Sequence, residues 1–122
     1  MGKEGFKELK VWQKAKDLAV HIYKLTAHGE LNRDYGLRDQ IRRSAVSIAS
    51  NIAEGDERDT DKESIRFFFI AKGSLAELRT QIQIAFEIGY LTRAAFDEID
   101  KECIELGRMI GKLIKSRQEE RV

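Results

Sequence analysis

Two apolar seams with a helical period constrain this chain more than any other feature. Apolar side chains recur at alternating intervals of three and four residues, which places them on one face of an α-helix. The seams are Val11, Ala15, Leu18, Ile22 and Leu25, then Phe96, Ile99, Cys103, Leu106, Ile110 and Leu113. The chain has no proline, and 35% of its residues are charged. These features predict an all-α fold, and 122 residues suffice for one domain with a single core.

Helix start and stop signals divide the chain into four predicted helices, at roughly residues 9–27, 36–54, 61–89 and 93–116. Gly55 is predicted to cap the end of the second helix. Thr60 and Thr92 are predicted to cap the starts of the third and fourth. The connections are short, which favours antiparallel neighbours. The predicted fold is therefore an up-down-up-down four-helix bundle over residues 1–122, with frayed tails before about Phe6 and after about Lys115.

A polar stripe follows the second predicted helix beside its apolar face. Its members are Ser44, Ser47, Asn51 and Glu54, spaced three and four apart. Serine and asparagine are poor helix-interior residues, so their alignment indicates a face that meets polar partners. Glu77 and Gln81, one turn apart on the third helix, are candidate partners. The alternative is that these are small residues tolerated on the surface.

The third predicted helix carries more apolar surface than one seam can hide. Phe67-Phe68-Phe69-Ile70-Ala71 wraps more than a full helical turn. Either this helix is buried on several sides, or part of it meets another subunit. We predict an oligomer interface here, with Phe67, Phe68, Phe69, Ser47 and Asn51 as candidate contacts. Glycines inside helices, at Gly73, Gly107 and Gly111, suggest close helix approach or are simply tolerated.

Residue patterns for chemistry are nearly absent. No P-loop, dinucleotide fingerprint, Cys-x-x-Cys pair or Glu-x-x-His pair occurs. Cys103 falls on an apolar seam and is predicted to be a buried, inert thiol. A single cysteine fits a reducing cytoplasm, and no apolar run is long enough to span a membrane. We therefore predict no enzymatic activity, no catalytic residues, no metal and no cofactor.

Basic residues recur on several helix faces, although the net charge is only +1. Candidate nucleic-acid-binding residues are Arg42, Arg43, Lys72, Arg79, Lys10 and Lys14. Lysine and arginine neutralise phosphates without reading base sequence. The first four are predicted to form one surface across the second and third helices. The alternative is that interleaved acids, such as Asp39, pair with these cations.

Three segments resemble the small four-helix-bundle family encoded by intervening sequences in 23S ribosomal RNA genes. They are ELKVWQKAKDLAVHIYKLT, YGLRDQIRRSAVSIASNIAEG and FFFIAKGSLAELRTQIQIAFEIGYL, in the family's order. The resemblance implies a ring-like homopentamer. It also extends to the accessory subunit of reverse transcriptases from diversity-generating retroelements, which implies RNA, DNA or a reverse transcriptase as partners. Many members carry proline where Ala49 stands, so a proline kink is not expected here.

Two functions of different class remain open. One is a non-enzymatic oligomeric scaffold that binds structured RNA or DNA through basic helix faces. The other is a purely structural or protein-interaction bundle with no nucleic-acid role. The salt dependence of binding to a generic RNA distinguishes them.

Overall fold

Helices make up almost all of this protein in the computed structural model, which describes residues 5–120. A 3-10 turn at Gly5–Glu8 precedes α1 (Lys10–Leu25), α2 (Gly29–Arg33), α3 (Tyr35–Asp56), α4 (Asp61–Glu87) and α5 (Arg93–Glu120). No strand occurs between residues 5 and 120, so the all-α prediction is confirmed. Residues 1–4 and 121–122, which fall in the predicted tails, lie outside the described part. None of the described helices is long and apolar enough to cross a bilayer.

One apolar core joins the four long helices. α3 packs against both α1 and α4, α4 packs against α5, and α1 packs against α5. The two predicted seams lie in this core, except that the last residue of each, Leu25 and Leu113, is at the edge of the core. Leu113 is only partly buried, and Ile114 lies in the core beside Ile110. The heptad pattern drifts there because 3.6 residues per turn do not divide evenly into seven.

The helix boundaries differ from the predicted ones by up to four residues; α3 spans residues 35–56 rather than 36–54, and α4 ends at Glu87 rather than at residue 89. α1 ends at Leu25, and Thr26 donates its hydroxyl to the Ile22 carbonyl at 2.8 Å. The short helix α2 was not predicted, and Leu31, which is fully buried, anchors it to the core. α5 continues to Glu120, four residues past its predicted end, so its last turn is ordered rather than frayed.

Side-chain caps define the starts of three long helices. Thr60 accepts a hydrogen bond from the Glu63 amide at 3.2 Å, and Thr92 accepts one from the Ala95 amide at 3.1 Å. Both predicted caps are therefore confirmed. Asp34, which was not predicted, caps α3 by accepting from the Leu37 amide at 3.1 Å.

Gly55 is a packing residue rather than the cap predicted for it. α3 continues through Gly55 to Asp56, and Gly55 is buried against α4. A Cβ atom at this position would lie 2.5 Å from Phe68 Cε1 and 3.0 Å from the Ser64 carbonyl oxygen. Ser64 also donates its hydroxyl to the Gly55 carbonyl at 2.7 Å. The missing side chain therefore lets α4 approach the backbone of α3.

A buried ion pair next to Gly55 attaches the end of α5. The side chain of Asp56 is completely buried, and its Oδ1 lies 3.1 Å from Arg117 Nη2. The same guanidinium lies 5.4 Å from the centroid of the Phe68 ring. Removing one partner of such a pair leaves an uncompensated buried charge. This contact explains why α5 stays helical beyond Lys115.

Gly55→Ala tests this close approach. Alanine normally stabilises a helix interior relative to glycine, but here its methyl group would overlap Phe68 and Ser64. We expect the free energy of unfolding to fall by about 1–3 kcal/mol, measured by urea denaturation. The matched control is Gly111→Ala in α5, where nothing lies within 4 Å of the added Cβ. It should stabilise by about 0.5–1 kcal/mol. A stabilising effect of Gly55→Ala would contradict this account.

Candidate nucleic-acid and subunit interfaces

Arg42 joins α3 to the end of α1. Its Nε donates to Thr26 Oγ1 at 2.8 Å, and Nη2 donates to the Tyr23 carbonyl at 3.4 Å. Its guanidinium also lies 4.5 Å from the centroid of the Tyr23 ring. A cation at this point is favourable because the carbonyls at a helix C-terminus carry partial negative charge.

The other predicted cations point to different helix contacts. Arg43 is exposed and lines the polar cleft between α3 and α4, together with Glu77 and Gln81. Arg79 lies 3.1 Å from Asp100 of α5. Lys72 is exposed and has no ion-pair partner among residues 5–120. The structure therefore does not gather all four cations into one surface: Arg42 and Arg43 line one pocket together, whereas Arg79 faces α5.

The two α1 lysines also differ from each other. Lys14 Nζ lies 3.1 Å from Glu105 Oε2, so it is paired with α5. Lys10 is exposed and has no ion-pair partner in the described part of the chain. Pairing with interleaved acids, the alternative considered for the cations, thus occurs for Lys14 and Arg79.

Exposed tyrosines accompany the arginines of α3, a feature that the sequence analysis missed. Tyr35 is 66% exposed and Tyr23 is 45% exposed. The guanidinium of Arg38 lies 4.8 Å from the Tyr35 ring centroid, and Arg42 lies over Tyr23 one helical turn further. We call Tyr23, Tyr35, Arg38, Arg42 and Arg43 the Tyr–Arg surface. The spacing of Tyr35, Arg38 and Arg42 is visible in the sequence, whereas Tyr23 joins them only through the fold.

An open pocket of about 480 Å³ lies in the Tyr–Arg surface. Its lining residues are Tyr23, Asp39, Arg42, Arg43, Val46 and Ser47. Asp39 is the one acid among them, and its Oδ1 lies 3.0 Å from Arg38 Nε. The pocket therefore combines an aromatic face with two guanidinium groups.

The apolar run on α4 is divided between the core and the surface. Phe68 is completely buried in the core of its own chain, so its predicted role in a subunit interface is corrected. Phe67 is half-buried beneath Arg58, whose guanidinium lies 4.4 Å from its ring centroid. Phe69 is 49% exposed and Ile70 is 42% exposed. The run is therefore partly core and partly exposed surface, and a subunit contact at its exposed residues stays a prediction.

Exposed apolar residues lie towards both ends of the outer side of α4, with the exposed Glu77 and Thr80 between them. Ile84 and Ile88 are also large exposed apolar residues, and Ile88 lies eighteen residues, or five full turns, after Ile70. Gly73 lies between them with nothing within 4 Å of a Cβ placed there. No contact inside the chain therefore requires Gly73. We call Phe69, Ile70, Gly73, Ile84 and Ile88 the α4 strip.

A second apolar surface lies on the other side of α3. The groove between α1 and α3 has a volume of about 650 Å³. It is lined by Phe6, Trp12, Lys16, Ala19, Val20, Tyr23, Lys24, Val46, Ala49, Ser50 and Ala53. Val20 and Val46 are each more than 40% exposed. We call this surface the α1–α3 groove, and Ala49 lies in its wall.

The polar stripe serves the packing of α3 on α4 within one chain. Ser47 Oγ lies 3.0 Å from Ser74 Oγ, and Asn51 Nδ2 donates to the Ser47 carbonyl at 2.8 Å. Ser74 is therefore the cross-helix partner, rather than Glu77 or Gln81. The two candidate interface residues, Ser47 and Asn51, are half-buried in this contact.

Cys103 is buried in the apolar core, as predicted. Burial raises the pKa of its thiol to about 12, since a thiolate would lose its hydration there. The thiol is therefore protonated at neutral pH, and a protonated thiol is a poor nucleophile.

Comparisons with known proteins agree with the fold. Residues 7–112 match the family described as 23S rRNA-intervening sequence protein. The chain is similar to a crystal structure of a protein of unknown function from the S23 ribosomal protein family of Bacteroides thetaiotaomicron, with a TM-score of 0.79 and 25% sequence identity. That match covers 86% of this chain and 98% of the other. No curated protein matches the sequence. The protein belongs to the 23S rRNA-intervening sequence protein family.

Proposed function

We propose that this protein is a non-enzymatic scaffold that assembles into a ring-like homo-oligomer and binds structured RNA or DNA. The observation that carries the proposal is the Tyr–Arg surface, where exposed aromatic rings lie beside guanidinium groups. Guanidinium groups neutralise phosphates, and tyrosine rings stack on unpaired bases. A single buried cysteine fits a reducing cytoplasm, where we place the protein.

The subunit that we propose is an antiparallel up-down-up-down bundle. Contacts between α3 and α4 support this, because residue numbers rise along one helix as they fall along the other. Ser47 bonds Ser74, while Asp34 at the start of α3 accepts from the Tyr90 hydroxyl just after α4, at 3.0 Å. Lys14 pairs with Glu105, and His21 pairs with Glu102, which supports the same relation between α1 and α5.

Assembly is supported by two separate apolar surfaces on one chain. The α4 strip and the α1–α3 groove share no residue and lie on different helices. A contact between unlike surfaces is heterologous, and such contacts form a ring when their rotation closes. We propose that the α4 strip of each subunit enters the α1–α3 groove of the next. Gly73 would then allow close approach between subunits, which is consistent with its empty surroundings.

Charge distribution supports nucleic-acid binding on the α1–α3 side. α1 carries four lysines and one acid, Asp17. The first half of α3 adds Arg38, Arg42 and Arg43 against Asp39. The first half of α5 has an excess of acids, with Asp97, Glu98, Asp100, Glu102 and Glu105 against Arg93 and Lys101. Phosphates are therefore attracted to one side of the bundle and repelled from another.

The two proposed interactions use successive parts of α3. Tyr35, Arg38 and Arg42 occupy its first two turns, whereas Ala49 and Ala53 line the groove further along. Tyr23 and Val46 border both surfaces, so bound nucleic acid would lie directly beside the neighbouring subunit. Repetition around a ring multiplies the weak contacts of each subunit.

The oligomeric state is measured by light scattering at micromolar concentration. Five subunits of 14.0 kDa predict a mass of about 70 kDa. Ile70→Glu places a charge in the α4 strip and should reduce the mass to that of one chain. The control is Ile104→Glu, at an equally exposed residue of α5 outside both surfaces, which should leave the mass unchanged. A wild-type mass near 14 kDa would refute the proposed assembly.

RNA binding is measured with a single-stranded loop substrate over a range of salt concentrations. Tyr35→Ala should weaken RNA binding by about 1–3 kcal/mol, because one base then lacks the tyrosine ring on which it stacks. Arg43→Gln should weaken binding to all sequences alike and reduce the salt slope by about one. Both side chains are exposed, so the fold and the mass should not change.

The matched control is Lys112→Gln, which removes one exposed positive charge from α5. It should leave RNA affinity nearly unchanged. Undiminished affinity of Tyr35→Ala and Arg43→Gln would exclude the Tyr–Arg surface. An assembled wild-type protein that binds no RNA at low salt would instead favour a bundle for protein interactions.

A further inference from the structure

His21 of α1 lies between two glutamates of α5, and the proposed function uses none of the three. His21 Nδ1 lies 2.6 Å from Glu102 Oε2, and His21 Nε2 lies 3.6 Å from Glu98 Oε1. The side chains of His21 and Glu102 are 30% and 32% exposed, so both are partly held by packing. The sequence shows no metal-binding pattern here because His21 is 81 positions away from Glu102 in the chain.

Glu102 fixes the proton of the imidazole ring. An ionised carboxylate only accepts hydrogen bonds, so at 2.6 Å the proton is on His21 Nδ1. In the neutral ring, Nε2 then carries a free lone pair directed towards Glu98. Metal-binding histidines are commonly held in this way, with a carboxylate on the second ring nitrogen.

The separation of His21 Nε2 and Glu98 Oε1 suits a shared ion better than a hydrogen bond. At 3.6 Å the two atoms are too far apart for a hydrogen bond. Two ligands at about 2.0–2.2 Å from a tetrahedral ion lie roughly 3.3–3.6 Å apart. The ligand atoms of His21, Glu98 and Glu102 all lie within 4.8 Å of one another.

Three cations of α1 and α4 are engaged with other carboxylates, whereas Lys101, the neighbour of Glu102 in α5, forms no ion pair within residues 5–120. Lys14 pairs with Glu105, Lys16 pairs with Asp17, and Arg79 pairs with Asp100. Within residues 5–120, the two glutamates therefore have only His21 as an ion-pair partner. The two carboxylates give the cluster a negative charge that favours a dication.

We propose that His21 Nε2 and the Glu98 carboxylate bind a divalent transition-metal ion of the Zn²⁺ type. Nitrogen with oxygen ligands suits such ions, and water completes the coordination. Glu102 is a positioning residue that holds the ring. Because the ligands come from two helices, the bound ion links α1 to α5.

The test is a titration of the full-length protein with Zn²⁺ in a non-chelating buffer near pH 7.5. Calorimetry gives the affinity, and NMR follows the ring signals of the two histidines, His21 and His28. We expect the His21 signals to shift and those of His28 to stay. Glu98→Gln should lower affinity at least tenfold, and Glu102→Gln should lower it by about 10–100-fold.

His28→Ala is the matched control, since His28 is exposed and outside the cluster. It should bind Zn²⁺ as the wild type does, whereas His21→Ala should lose the site. Glu98 is 67% exposed, so Glu98→Gln tests the ligand without risk to folding. The proposal is overturned if Glu98→Gln binds with wild-type affinity, if the His28 signals shift instead, or if no His21 shift occurs up to 1 mM Zn²⁺.

Discussion

The close contact between α3 and α4 at Gly55 is the constraint on which the bundle depends. The Phe68 ring lies where a side chain of Gly55 would otherwise be. Arg117 lies near the same ring and pairs with Asp56, the neighbour of Gly55. One small region therefore joins α3, α4 and α5. Glycine is required there by packing, since no other residue leaves room for the ring.

α3 has a different role on each of its sides. One side is buried in the core through Ile41, Ile48 and Ile52. A second side meets α4 through hydroxyl groups, with Ser47 bonded to Ser74. A third side forms the wall of the α1–α3 groove. Its first turns carry the arginines and Tyr35, so this helix links folding, assembly and ligand binding in our proposal.

The sequence predicts the features that follow from helical periodicity. The apolar seams, the caps at Thr60 and Thr92, and the buried Cys103 all occur in the structure. Each depends on residues close together in the chain, where spacing alone determines which face a side chain occupies.

Features that depend on contacts between distant residues were not predictable in this way. Gly55 resembles a helix-ending glycine until Phe68 is placed against it. Phe68 resembles its exposed neighbour Phe69 until the rotation of α4 is known. Arg42 and Arg43 are adjacent in sequence, yet one contacts the end of α1 and the other borders α4. The pairing of His21 with Glu102 joins residues 81 positions apart.

Disulfide cross-linking between subunits tests the central claim of a heterologous ring most directly. In a Cys103→Ala background, Val46→Cys places a thiol in the α1–α3 groove and Ile70→Cys places one in the α4 strip. Mild oxidation of the double variant should give a ladder of covalent oligomers that ends at five chains on a denaturing gel. Each single-cysteine variant should run as a single chain on the same gel. In a heterologous contact two copies of one surface do not meet, so two identical cysteines are too far apart to form a disulfide. Covalent dimers from a single-cysteine variant, or no ladder from an assembled double variant, would contradict the account.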